Sequence, residues 1–249
     1  MTTKLWGGRF SKTTNKLVEV FSRSITFDKK LARYDCMGSL VHIDILKEAG
    51  LLTATEHGKL KKGLHKILAN IARIETSPDM SFEDIHSYVQ HLLEKDPAVG
   101  AAALKLHTCR SRNDQVVFDV KLYCLQNIVL TRAIISELCD SINQLAAKNA
   151  QTHVPGYTHL QHAIPVALAD HLGAYAAMLG RDHQRLAQIS DNIKLTLGAG
   201  ALAGTIIPAE KYQQNAKGLL PKNVSPAENS LDAVSDRDFC AEFIFDCAL

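Results

Sequence analysis

Between Lys105 and Tyr123 the chain reads KLHTCRSRNDQVVFDVKLY. Thr108, Arg110, Ser111, Arg112 and Asn113 place hydrogen-bonding side chains just ahead of an apolar run that opens at Val116. A helix starting near Ser111 to Asn113 would offer free backbone N–H groups and the positive end of its dipole at the same point. That combination suits a carboxylate or a phosphate. The same residues also suit an ordinary N-cap, with the arginines in solvent or paired to Asp114. A second group lies in GYTHLQHAIP, Gly156 to Pro165, where Thr158, His159, Gln161 and His162 fall between two long helical patterns. A histidine there could carry a proton near neutral pH, or could simply be exposed or hydrogen-bonded. In a third, FEDIHSYVQ, Asp84 precedes His86 by two positions. The pair either orient one another or form a surface cap.

Metal chemistry finds little support. The eleven histidines contain no H-E-x-x-H spacing, and the six cysteines contain no C-x-x-C pair. His159 and His162 are three apart, but further ligands are not evident. No metal is expected. The cysteines read as reduced thiols of a cytosolic protein, most of them core fillers.

The elements that must carry these groups are helical. Asp28 to Ala49 steps Leu31, Tyr34, Met37, Val41, Ile45 and Ala49 at intervals of three or four and stops at Gly50. Thr53 with Glu56 forms a capping box for a helix to about Ile74. Ile85 to Lys95 reads as a shorter helix with Asp84 near its cap. From Ser111 to Val154 there is neither glycine nor proline. Val116, Val120, Tyr123, Leu130, Ile134, Leu138, Ile142 and Leu145 form one stripe, with more apolar residues around it, as in a helix buried among several others. Forty residues make a rod of roughly 60 Å, which a lone chain of this size would struggle to cover. Oligomerisation is the natural remedy. Pro155-Gly156 reads as a turn and Pro165 as the first turn of a helix to about Leu195. Leu172 to Gly180 is rich in small residues that admit a close neighbour. Gly198 to Thr205 reads as a flexible turn, and helical spacing resumes from Asn229 to Leu249. Strand signals are nearly absent.

The totals agree with an ordinary globular protein: 249 residues, 46% hydrophobic, 22% charged and a net charge of +2. That balance points to neither nucleic acid nor anionic lipid as a partner. No run approaches about 20 uninterrupted apolar residues, so no membrane span is expected, and MTTKLWGGRF lacks a signal-peptide core. The chain stops within a helical pattern, so a longer parent protein is expected.

The ordered set LWGGRF, EDIH, HTCRSRNDQV, GYTHLQHAIP, GAGALAGT and NSLDAVSDRDF resembles the argininosuccinate lyase family of the fumarase/aspartase superfamily. The likeness runs along essentially the whole chain. It implies an all-α fold with a smaller N-terminal helical domain at 1–110 and a truncated central long-helix bundle at 111–249. It also implies a cytoplasmic homotetramer whose active sites are shared between subunits. The reaction would be reversible β-elimination of argininosuccinate to arginine and fumarate, a carbon–nitrogen lyase step of arginine biosynthesis that needs no cofactor. By the same resemblance, Ser111, Arg112 and Asn113 hold substrate carboxylates, and Thr158 and Ser24 bind substrate. His159 takes a catalytic proton-transfer role, and Gln161, Asp84, His86 and Arg237 support binding. The family's mobile GSSxMPxKxNP loop does not occur in these 249 residues, so the piece alone is expected to be inactive. Cys109 stands where the family usually has glycine, Gln90 where it has glutamate, and PAEKYQQ departs from its usual P-x-D-R. Alternatives are a sister lyase acting on adenylosuccinate, fumarate or aspartate, and a non-catalytic crystallin-like helical scaffold.

Overall fold

The computed structural model describes residues 15–216 and 220–249; the LWGGRF motif lies outside them. The helices are α1 Lys16–Ser22, α2 Ile25–Asp28, α3 Ala32–Glu48, α4 Ala54–Ala69, α5 Ile71–Thr76, α6 Ile85–Lys95, α7 Arg112–Lys148, α8 Leu168–Asn192, α9 Ala209–Asn215, α10 Ser230–Ser235 and α11 Asp238–Ala248. Strands are few: β1 His153–Thr158 pairs with β2 Gln161–Ala167, and the two-residue β3 Leu195–Thr196 pairs with β4 Val224–Ser225. The all-α architecture expected from sequence is the one observed. Two units divide the chain, one holding residues up to Tyr123 together with Leu195–Asp236, the other Cys124–Lys194 with Arg237–Leu249.

The first unit holds a dense core. Ile43, Ile45, Leu46, Leu60, Leu64, Ile85, Leu93, Leu106, Phe118 and Leu122 are all fully buried. Buried apolar area of this kind supplies the main stabilisation, roughly 1.5–3 kcal/mol per large side chain. Thr53 and Glu56 form the expected capping box at the start of α4, but the helix breaks at Asn70 before α5. Gly38 lets α3 close on α7, since a Cβ there would sit 2.9 Å from the Phe118 ring. Yet α3 is not simply apolar: Asp35, Ser39 and His42, four and three residues apart, form a fully buried polar stripe. Lys121 of α7 is also buried, 3% exposed, and pairs with Asp236 at 2.8 Å.

In the second unit, α8 packs against α11, and Arg185 Nε reaches Asp246 Oδ1 at 2.7 Å. The segment after α7 departs from the sequence reading. Pro155 and Gly156 lie within β1 rather than in a turn, and Pro165 pairs with Pro155 in β2 rather than opening a helix. The turn is His159-Leu160, both with left-handed φ, 51° and 62°. Two left-handed residues between paired strands are what a two-residue type I′ hairpin requires. The usual Asn-Gly signal is missing, which is why the hairpin escapes a search for turn residues.

The 37 residues of α7 make a rod of about 55 Å. By length and composition alone it could cross a bilayer, a possibility that the want of an uninterrupted apolar run conceals. Val129, Leu130, Ile134, Leu138 and Leu145 are 46–65% exposed. Such a large apolar face marks a surface that meets another body.

Candidate active site

The first unit gathers most of the predicted binding residues. Ser111 caps α7: its Oγ accepts the Asn113 N–H at 3.2 Å, and Asp114 Oδ1 takes the Ser111 N–H in return at 3.1 Å. This is a capping box with aspartate in the usual glutamate place. Asp114 Oδ2 also accepts the Gly200 N–H at 2.9 Å, and Asn113 Nδ2 donates to the Ala201 carbonyl at 3.3 Å. The glycine-rich segment is therefore tied to the helix start rather than free. Its Gly198 has φ 88° with the Tyr212 ring 2.6 Å from where a Cβ would lie.

Arg112 bridges to the Asp84 segment. Its Nη1 donates to Gln115 Oε1 at 2.8 Å, its Nη2 to Ser87 Oγ at 3.4 Å, and its Nε lies 3.8 Å from Asp84 Oδ2. Asp84 also caps α6 through the Ser87 N–H at 2.6 Å. Ser24 sits on the same side of this unit: its backbone N–H donates to the Glu83 carbonyl at 2.9 Å, and its Oγ donates to Asp28 Oδ2 at 2.5 Å. Ser24, Asp84, Arg112, Ser111 and Asn113 thus form one connected set. Asn113 is exposed while Ser24, Asp84, Ser111 and Arg112 are half-buried, so the set is accessible to a solute.

Two residues lie elsewhere than the sequence suggests. Arg110 turns inward and donates through Nη1 to Ser39 Oγ at 3.0 Å; burial lowers its affinity for the proton, opposed by the charges of Asp35, Asp119 and Asp114. It is not a donor at the helix mouth. His86 is 2% exposed, with Nδ1 at 3.3 Å from Asp35 Oδ2 and 3.4 Å from Asp119 Oδ2. It does not pair with Asp84, which is committed to Ser87 and Arg112. Burial would raise the Asp35 carboxyl, but the His86 hydrogen bond, the charges of His86 and Arg110 and the Gln115 amide hold it below its ordinary range. Burial, with Asp35 nearby, pushes Asp119 well up.

Among the described residues, Asp35, His86 and Asp119 are a trio whose ligand-type atoms lie within 4.8 Å of one another. Arg110, charged and buried beside them, opposes a dication. The trio reads as a buried ion-pair cluster rather than a metal centre.

Behind the motif, His42 Nε2 lies 2.9 Å from the Thr108 carbonyl and Nδ1 lies 3.4 Å from Tyr212 Oη. Burial, then the charge of Arg110, lowers His42 well below the usual imidazole range. A neutral ring donating from Nε2 and accepting at Nδ1 satisfies both contacts. The loop this holds contains Cys109 at φ 55°, a left-handed conformation in which glycine is the comfortable residue.

Thr158, His159 and Gln161 belong to the second unit, on the exposed hairpin, with Thr158 and Gln161 paired across the turn. Tyr157 Oη and His162 Nε2 meet at 2.9 Å and brace it. Leu160, at the tip, is 95% exposed. Arg237 is the N-cap of α11 in the same unit. Asp114, Gln115 and Asp35 were missed as parts of the site. The S-x-x-D spacing signalled Asp114; nothing in one sequence signals that Asp35 lies beside Gln115.

A family model described as lyase matches residues 8–249. The chain belongs to this lyase family. Argininosuccinate lyase of Moorella thermoacetica is 47% identical over 242 residues, covering 97% of this chain and 51% of that protein. The enzyme of Desulforudis audaxviator is 46% identical over 251 residues, covering 99% and 53%. This lyase chain spans about half the length of the curated relatives it matches. Two solved structures share the fold. EDDS lyase in complex with formate has a TM-score of 0.74 at 23% identity, covering 89% of this chain and 43% of that one. A fumarate lyase:delta crystallin from Brucella melitensis bound to cobalt has a TM-score of 0.72 at 17% identity, covering 96% and 54%.

Proposed function

We propose that the complete protein is an argininosuccinate lyase, releasing arginine and fumarate by β-elimination. The observation that carries this reading is the connected set at the start of α7, on a chain 43–47% identical to argininosuccinate lyases. Removal of the proton beside a substrate carboxylate places a second negative charge on that group. The carbon–nitrogen bond then breaks, and the guanidinium leaves with a proton. Donors aimed at the carboxylate before the reaction stabilise this aci-carboxylate more than the ground state. Asn113, the Ser111 hydroxyl and the free N–H groups of the first turn are those donors, while the Arg112 guanidinium holds the carboxylate in substrate and transition state alike. Thr158 and Ser24 bind substrate, supported by Gln161, Asp84 and Arg237, while the buried His86 serves the fold beneath them. His159 moves a proton, with the family's serine loop supplying the remaining group.

The site is shared between copies of a cytoplasmic homotetramer. Its two parts sit in different units of one chain, and the exposed apolar face of α7 is the surface on which copies bundle. That face needs no lipid: the exposed Glu137 interrupts it with charge. Fumarate release, followed by ultraviolet absorbance, tests the reading on the complete polypeptide beside residues 1–249. Turnover by the complete protein, and none by the shorter piece, is expected. A preference for adenylosuccinate or aspartate would redirect the substrate, and turnover by the piece would refute the need for the missing loop.

A further inference from the structure

Arg112 owes its position to a buried amide. The Gln115 side chain is 2% exposed, its Oε1 accepts from Arg112 Nη1 at 2.8 Å, and its Nε2 donates to Asp35 Oδ1 at 2.5 Å. Guanidinium can only donate and an ionised carboxylate can only accept. The amide therefore has one workable orientation, oxygen toward Arg112 and nitrogen toward Asp35. Asp35 in turn is fixed by Ser39 Oγ at 3.2 Å, and Ser39 by Arg110 at 3.0 Å. Asp35 sits on α3 and is 2% exposed, so it cannot relax into water.

We propose that Gln115 is a positioning residue, oriented by Asp35, that aims the Arg112 guanidinium at the substrate carboxylate. This rests on the lyase reading. Gln115 touches no substrate; it works through Arg112 alone. Loss of the amide lets the guanidinium swing toward solvent while Ser111 and Asn113 keep their places on the backbone of α7.

The test is made on the complete polypeptide. Gln115→Met keeps the length of the side chain and removes both hydrogen bonds. Its KM for argininosuccinate should rise about tenfold or more, the size of losing one hydrogen bond to a charged group, while kcat changes much less. On an Arg112→Lys background the same change should add little, because the two act as a unit. Equal effects on both backgrounds, or a KM within about twofold of the parent, would overturn the inference.

Gln115→Glu guards against a variant that fails to fold. When protonated, the new carboxyl restores donor and acceptor; when ionised, it faces Asp35 with like charge. Its charged surroundings are Arg112 and Asp119 on α7, Asp35 on α3, His86 on α6 with Asp84 at its cap, and Arg110 in the loop before α7. KM should lie near the parent value in mild acid and climb as pH rises; a KM that tracks the parent at every pH counts against the proposal. If the parent protein shows no turnover, the lyase reading falls by itself. A crystal structure of Gln115→Met then decides: an Arg112 still seated beside Ser87 rejects the positioning role.

Discussion

At the scale of single residues, Cys109 is the sharpest case. Its left-handed φ of 55° costs a non-glycine residue roughly 1–2 kcal/mol. Cys109→Gly should raise stability by about 0.5–1 kcal/mol, the strain relief less the entropy that glycine adds. Cys109→Val should lose at least about 1 kcal/mol, because a branched side chain tolerates that φ worst. Urea titrations of the three proteins check both. His107 offers a pH test. Burial, then the charges of Arg110 and Arg112, hold it down at about 3, against about 6.5 in an unfolded chain. The folded state thus binds fewer protons between those values, so this contribution is complete above about pH 6.5 and is lost as pH falls toward 3. At ~1.4 kcal/mol per unit, and allowing for partial exposure, it is worth on the order of 3 kcal/mol. His107→Gln should flatten the acid limb of stability against pH. Residue types told which side chains gather at the mouth of α7, since Ser111, Arg112 and Asn113 stand together there. They did not tell which arginine faces out. Arg110 and Arg112 are two apart on either side of the helix start, and only the packing of α3 decides that the first is buried.

At the scale of elements, helix ends were legible and the hairpin was not. Thr53 with Glu56 and Asp84 before Ile85 mark starts that the structure keeps, because caps act through neighbours in sequence. Thr53→Ala should cost about 1 kcal/mol, read from the midpoint of unfolding. The pairing of β1 with β2 depends on two left-handed residues with ordinary side chains, and no local propensity announces them. Leu160→Gly should relieve strain at the tip of this hairpin, leave circular dichroism unchanged, and bind no less substrate if Leu160 serves the turn alone. The break at Asn70 was likewise invisible in the apolar spacing. On α3 the apolar stripe concealed a second one, Asp35, Ser39 and His42, whose burial depends on partners 66 or more positions away.

At the scale of the whole molecule, the over-apolar α7 was legible in composition alone, because a periodic pattern that covers most of a helix needs cover on every side. Ile134, 65% exposed, and Leu138, 46% exposed, are the places to test it. In the complete polypeptide, Ile134→Glu with Leu138→Glu should shift native mass from the proposed tetramer toward smaller species and abolish the proposed turnover while helix content persists. A tetramer that survives both charges would end the shared-site reading.

The Lys121–Asp236 pair gives these ideas a clock. An amine sealed from water at neutral pH cannot be acylated by a small activated ester, whereas the surface lysines are modified at once. The rate at which Lys121 gains label therefore reports how often the SDRD corner lets go of the central rod. Peptide mass mapping would read that rate directly, with and without fumarate bound.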